Sequence, residues 1–168
     1  MVDLLKIRAA RLGDLKSITE IYNEAIKKTV ATFDTEVKTL EEQKKWFIKH
    51  STRNPIIIAE NDDEIIGWAS LSEYSTKYAY SDTAEISLYI KEKFQGKGIG
   101  KQLMSSIIDE GKKVGLHAVI ARITDGNKTS IRLHKSVGFK HVGIMKEVGY
   151  KFGKRLDVHI MEKIYSEK

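Results

Sequence analysis

Between residues 95 and 101 the chain reads Gln95-Gly96-Lys97-Gly98-Ile99-Gly100-Lys101, with three glycines at alternate positions and two lysines set among them. Alternating glycines let a backbone turn tightly and aim successive N–H groups outward. If a helix follows, it adds the positive end of its dipole, and the combination is suited to holding phosphate. Lys97 and Lys101 would add positive charge at the rim. Two well-known phosphate loops fail on spacing. A Walker loop ends in Gly-Lys-Ser/Thr, whereas Gln102 follows Lys101 here. The dinucleotide fingerprint needs Gly-x-Gly-x-x-Gly in an opening βαβ unit with an acidic residue further on; this run lies mid-chain and has neither the spacing nor that acid. Taken alone, the segment is equally well a glycine-rich turn before a helix. The other chemistry-bearing types say little. There is no cysteine, hence no thiol nucleophile and no Cys-ligated zinc. His50, His117, His141 and His159 have no metal-ligand spacing, and no metal is expected.

The elements that must position this loop follow from hydrophobic periodicity. A short strand is predicted over 4–9. A helix opened by Gly13-Asp14 carries Leu15, Ile18, Ile21, Tyr22, Ala25 and Ile26 at helical spacing. Residues 28–38 read as an irregular loop around Phe33. Thr39 and Glu42 form a capping-box start to a helix ending near His50. A buried strand over 56–60 turns at Asn61-Asp62-Asp63 into a second strand from Ile65 to Leu71, a β-hairpin. A loop rich in Tyr and Ser spans 72–82. The strand Thr83 to Ile90 alternates, with Ala84, Ile86, Leu88 and Ile90 on one face and Glu85, Ser87 and Tyr89 on the other. After the glycine loop come an amphipathic helix to about Val114, a strand over 116–123, a helix over 128–137, and strands over 139–148 and near 156–164. The order β-α-α-β-β-β-α-β-α-β-β predicts an α/β sandwich around one mixed sheet.

With 168 residues the chain is expected to form one domain over 1–168, without repeats or linkers. The net charge of +6 is spread over helices and loops rather than gathered with exposed aromatics, which argues against a nucleic-acid surface. No apolar run approaches the roughly 20 residues of a membrane span. A soluble, cytoplasmic protein that binds neither nucleic acid nor membrane is expected.

The segment Glu85–Lys101, followed by Asn127-Lys-Thr-Ser130-x-x-x-His134-x-x-x-Gly138-Phe139, resembles the GNAT N-acetyltransferase superfamily. Gln95, Gly98 and Gly100 match its Gln/Arg-x-x-Gly-x-Gly/Ala signature. Within the superfamily the chain is most similar to the phosphinothricin and methionine sulfoximine (L-amino acid) N-acetyltransferases. The matching stretches are Ile21-Tyr-Asn-Glu-Ala25, Ala31-Thr-Phe33, Ser130-Ile-Arg-Leu-His134 and Val148-Gly-Tyr-Lys-Phe-Gly-Lys-Arg-Leu-Asp157.

The resemblance implies a GNAT fold, acetyl-CoA as cofactor and transfer of acetyl to a small-molecule amine. Main-chain amides of Gln95, Gly96, Lys97, Gly98, Ile99, Gly100 and Lys101 would hold the pyrophosphate. Leu88, Tyr89 and Ile90 would pair with pantetheine as an added strand does. Asn127, Ser130 and Ser136 would contact the cofactor, although an Asn at a helix start is also an ordinary N-cap. Glu85 would be the general base, its basicity raised by an apolar cleft. A main-chain N–H near Ile90 would polarise the thioester carbonyl. His134 stands where many members carry Tyr, and it would either protonate the departing sulfur or pack the cofactor. Phe33, Tyr74, Ser75, Lys77, Glu85, Ile86 and Ser87 would surround the acceptor. The resemblance also implies a homodimer in which 148–157 approaches the partner's active site.

One position departs from the pattern. Related enzymes carry Arg where this chain has Ser75, and Lys77 supplies a point charge without the planar fork that grips a carboxylate. Phe33, Tyr74, Tyr78 and Tyr80 could line a pocket for a different acceptor or could simply pack on the sheet. Peptide or protein N-terminal acetylation, and a non-catalytic acyl-CoA-binding module, are the competing readings.

Overall fold

The computed structural model describes residues 5–50 and 52–166. Seven strands make one sheet in the order β1-β2-β3-β4-β5-β7-β6. They are β1 (Leu5–Ala9), β2 (Ile56–Asn61), β3 (Glu64–Glu73), β4 (Thr83–Ile90), β5 (Ala118–Thr124), β6 (Lys140–Lys151) and β7 (Lys154–Ile164). The helices are α1 (Leu15–Lys28), α2 (Leu40–Lys49), α3 (Ile99–Lys113) and α4 (Lys128–Ser136). Of the predicted first strand, Leu4 lies outside the described residues. Among the described residues, no helix is long and apolar enough to cross a membrane.

Alternation along the strands divides the core in two. On one face Ile56, Ile58 and Trp68 pack with Ile18 and Ile21 of α1. On the other, Ile57, Ala59, Ala69, Leu71, Ala84 and Ile86 meet Leu103, Met104 and Ile107 of α3, with Ile131 and Leu133 of α4 alongside. Helix α2 starts at the predicted capping box: the Glu42 amide donates to Thr39 Oγ1 at 3.2 Å, and the Thr39 amide donates to Glu42 Oε2 at 2.8 Å. Asp62 and Asp63 both have positive φ, so β2 and β3 are joined by a two-residue turn.

Two boundaries differ from expectation. Strands β6 and β7 are longer than predicted and meet at a two-residue turn, Phe152-Gly153, with φ of 50° and 74°. Phenylalanine is a poor residue for the left-handed region, which is why the sequence reads as a longer loop there. The Tyr- and Ser-rich loop also contains one turn of 3-10 helix, Tyr78–Tyr80.

The feature that matters most for function lies between β4 and β5. They are parallel neighbours, yet they pair over only three residues, Thr83–Glu85 against Ala118–Ile120. Beyond Glu85 the strands diverge.

Candidate active site

The divergence opens a cleft of about 630 Å³ that passes through the sheet. Met104, Leu133 and His134 line it from the α3–α4 side, and Tyr22, Phe33 and Asp34 from the α1 side. Glu85, Ile86, Ser87, Leu88 and Tyr89 form one wall, and Ala121, Arg122, Ile123 and Thr124 the other.

Hydrogen-bond parity identifies which main-chain groups face this cleft. Lys91 N–H donates to the Ile66 carbonyl at 2.9 Å, and the β3–β4 register places Tyr89 opposite Trp68 and Ser87 opposite Ser70. In an antiparallel pair alternate residues turn both N–H and C=O to the same neighbour. Ser87, Tyr89 and Lys91 therefore bond to β3, while Leu88 and Ile90 present their main chain to the side where β5 has pulled away. The Ile90 carbonyl accepts from Gln95 Nε2 at 3.0 Å, so the Gln95 side chain fixes the start of the glycine loop. Of the three residues expected to pair with pantetheine, Leu88 turns both main-chain groups to the free edge and Ile90 its N–H, its carbonyl being held by Gln95. The Tyr89 main chain is committed to β3, and its ring lies 5.0 Å from Trp68 and 5.1 Å from Tyr22. Burial pushes the Tyr89 phenol up to about 12.

The glycine loop leads into α3 as expected. Gly96 and Gly98 have φ of 74° and 80°, and a Cβ built on either would meet nothing within 4 Å. Both main chains are open to an approaching group, and left-handed φ favours glycine. Gly98 is the N-cap of α3 and no side chain caps it, which leaves the first-turn amides of Ile99, Gly100 and Lys101 directed at the loop. The Ile99 side chain is core. Gly100 lets α3 approach α4, since a Cβ there would lie 3.3 Å from Leu133. Lys101 is exposed, and the Lys97 ammonium sits 5.3 Å from the Phe94 ring.

Asn127 and Ser130 line the cleft, and Asn127 Oδ1 also accepts the Ser130 amide at 3.1 Å as the N-cap of α4. Ser136 does not line it, and its hydroxyl donates to the Leu133 carbonyl at 2.7 Å. His134 is 6% exposed and stacks edge-on against Phe139. Its Nδ1 lies 2.7 Å from the Ser130 carbonyl, an acceptor only, so Nδ1 carries the proton. Burial holds the imidazole below the ordinary histidine value. The ring is accordingly neutral near pH 7 and Nε2 bears a lone pair, an arrangement better suited to accepting or packing than to donating a proton.

Glu85 has an unforeseen partner. Arg122 of β5 donates from Nε to Glu85 Oε1 at 2.6 Å and from Nη2 to Oε2, a two-pronged contact. An apolar setting was expected around Glu85, whereas the structure gives it a guanidinium. Hydrogen bonding to Glu85 raises the Arg122 pKa, and the Tyr74 phenol lies near enough to add to that. Nothing in local spacing marks Arg122, because its partner is 37 residues away on a parallel strand.

The other residues expected around the acceptor divide. Phe33, Ile86 and Ser87 line the cleft, with Ile86 lying 7% exposed against the α3 core. Tyr74, Ser75 and Lys77 do not line it; Ser75 Oγ accepts the Lys77 amide at 3.3 Å, and Tyr74 stacks on Tyr80. A further set that sequence reasoning missed holds the 29–38 segment over the cleft. Thr124 Oγ1 donates to the Val30 carbonyl at 2.6 Å, the buried Lys151 Nζ to the Thr32 carbonyl at 2.8 Å, and the Tyr22 hydroxyl to Asp34. Asn23 clasps both the N–H and the carbonyl of Lys38.

Comparison with known proteins agrees with this geometry. A family model described as an acetyltransferase (GNAT) domain matches residues 7–160. The phosphinothricin N-acetyltransferase of Streptomyces coelicolor is 38% identical over 158 residues, 92% of this chain and 92% of that protein. The L-methionine sulfoximine/L-methionine sulfone acetyltransferase of Salmonella typhimurium is 35% identical over 94% of this chain and 93% of its own. Among solved structures, an acetyltransferase from Salmonella typhimurium with its cofactor acetyl-CoA superposes with a TM-score of 0.94 at 34% identity, covering 98% of this chain and 95% of that one. A ribosomal-protein-alanine N-acetyltransferase from Brucella melitensis gives 0.92 at 34%, covering 95% and 99%.

Proposed function

The chain belongs to the GNAT acetyltransferase family, and on that premise we propose that it acetylates the primary amine of a small amino-acid-like acceptor, with acetyl-CoA as donor. The observation that carries this reading is the cleft through the sheet, with Glu85 in its wall on the strand that runs on into the glycine loop.

The residues present fit acetyl-CoA. The main-chain groups of Leu88 and the N–H of Ile90, turned away from β3, suit an extended amide-bearing arm, and the open backbone at Gly96 and Gly98 before α3 suits the phosphates. Asn127, Ser130 and His134 lie where they would pack that arm. When bound, acetyl-CoA supplies an activated acetyl thioester. The outward main-chain N–H at Ile90 would polarise the thioester carbonyl oxygen. On the α1 side Phe33 and Ser87 border the acceptor amine. Glu85 takes the proton that the ammonium must lose before nitrogen can attack.

Exposed apolar residues on the outer strand β6, including Val142, Ile144 and Tyr150, support a homodimer formed through that edge. Dependence on acetyl-CoA as donor suits the cytoplasm.

The test is thiol release from acetyl-CoA with methionine sulfoximine, methionine sulfone, phosphinothricin, common L-amino acids and short peptides, comparing wild type with Glu85→Gln. Loss of a general base should lower kcat by about 10²- to 10⁴-fold. It should cost under about 1 kcal/mol of stability, because the pair it breaks is partly exposed. Turnover of peptides alone would favour N-terminal acetylation, a reading that the exposed Tyr74–Tyr80 loop and Ser75 keep open. Acetyl-CoA binding without turnover, unchanged by Glu85→Gln, would favour a binding module.

A further inference from the structure

We infer that Arg122 is the carboxylate clamp of the acceptor site, and that the Glu85–Arg122 pair is exchanged for the two charged ends of an α-amino acid when the acceptor binds. The inference rests on the proposed amino-acid acetylation and adds the group that selects a carboxylate.

The loop before β4, where an arginine fork would be looked for, has Ser75 bonded to its own backbone and Lys77 away from the cleft. A carboxylate-bearing acceptor therefore needs another cation. Arg122 is in the cleft wall, directly across from Glu85. Its side chain is 54% exposed, against 23% for Glu85, so the guanidinium is reachable from solvent. Nε and Nη2 hold Glu85, and Nη1 makes no hydrogen bond among the described residues. The planar fork matches a carboxylate in two-pronged geometry, and the Glu85 carboxylate already occupies that geometry.

A zwitterion can take over both halves of such a pair. Its ammonium replaces the guanidinium at Glu85, and its carboxylate replaces Glu85 at Arg122. One ion pair becomes two, with charge balanced throughout. The exchange replaces the two-pronged contact at Arg122 by another of the same kind, and both side chains are partly exposed to an incoming acceptor. It also delivers the ammonium to the carboxylate that must deprotonate it. A neutral amine or a carboxylate-free amine achieves only half of this exchange.

The test compares kcat/KM for methionine sulfone with that for its decarboxylated amine, in wild type, Arg122→Gln and Arg122→Lys. Arg122→Gln is expected to reduce the preference for the amino acid by about 10- to 100-fold, chiefly through KM, as the loss of one charged hydrogen-bonding partner implies. Arg122→Lys should recover part of it. Thermal stabilisation of each variant by acetyl-CoA verifies folding. If Arg122 only positioned Glu85, both acceptors would lose equally and mainly in kcat, and an unchanged ratio overturns the clamp while leaving amino-acid acetylation standing. Wild type that is silent on every amino acid but active on carboxylate-free amines overturns both.

Discussion

Gly149 and Phe33 make a contact that can be dissected quantitatively. A Cβ added at Gly149 would collide with three carbons of the Phe33 ring, so β6 has a glycine there to seat a ring that lines the cleft. The φ of Gly149 is not in the left-handed region, and alanine is therefore allowed by the backbone. In Gly149→Ala the ring must leave its seat. Phe33 is 37% exposed; with about 200 Å² for a phenylalanine, about 125 Å² is covered, worth at most about 3 kcal/mol at 25 cal/mol per Å². Partial re-covering elsewhere brings the expected loss to about 1–2 kcal/mol. Without the ring the sign reverses. In a Phe33→Ala background Gly149→Ala should stabilise by about 0.5–1 kcal/mol, since glycine within a strand costs that much relative to alanine. The assay is a double-mutant cycle of urea midpoints at constant m-value, with acceptor KM measured in parallel. A coupling of about 2 kcal/mol and a raised KM in Gly149→Ala are expected. An equal loss in both backgrounds would refute the steric argument.

Burial holds the imidazoles of His50 and His134 below the ordinary value, so the unfolded chain takes up protons first as pH falls. Stability should be full above about pH 6.5 and decline from there toward the folded-state values; urea titrations across that window should show a slope that flattens in His134→Gln, and a flat wild-type curve would contradict it. Gly98 and Gly115 both have φ near 80°, so alanine at either should cost about 1–2 kcal/mol, but only Gly98→Ala should weaken acetyl-CoA binding by calorimetry. Val142→Glu with Ile144→Glu should convert a sedimenting dimer into a species near the chain mass of 19.1 kDa; wild type already at that mass would remove the β6 interface.

Strand β4 was legible to its end residues because its alternation is strict and both faces are covered. The capping box at Thr39 and the turn at Asn61-Asp62-Asp63 were equally readable, since each depends on residues within four positions of one another. The glycine loop was readable equally as a phosphate-suited loop or as a plain turn before a helix, and only the resemblance tied it to acetyl-CoA. Contacts made across the sheet left no such trace. Arg122 reads as one polar residue in an apolar strand, and its meaning appears only when Glu85 lies opposite. Lys151 reads as a solvated lysine in a basic run, yet it is 4% exposed and bonded to a carbonyl 119 residues earlier. The long β6–β7 hairpin was underestimated because Phe152 occupies a conformation its side chain disfavours. Three of these depended on long-range pairing or on strain, and neither is encoded in a local period.

The three-residue contact between β4 and β5 makes the sheet behave mechanically as two plates joined along a short seam. One plate, β1 to β4, carries Glu85 and the glycine loop; the other, β5 to β7, carries Arg122 and the outer edge. Side chains from α3 and α4 cross beneath the seam, and the 29–38 segment straps it from above through Thr124 and Lys151. A long molecule lying in the gap would act as a rivet, taking load that the missing rungs do not. The tightness of the Glu85–Arg122 contact then depends on how the plates are set, so the spacing of the Glu85 carboxylate from its cation is governed by whatever fills the gap beside it.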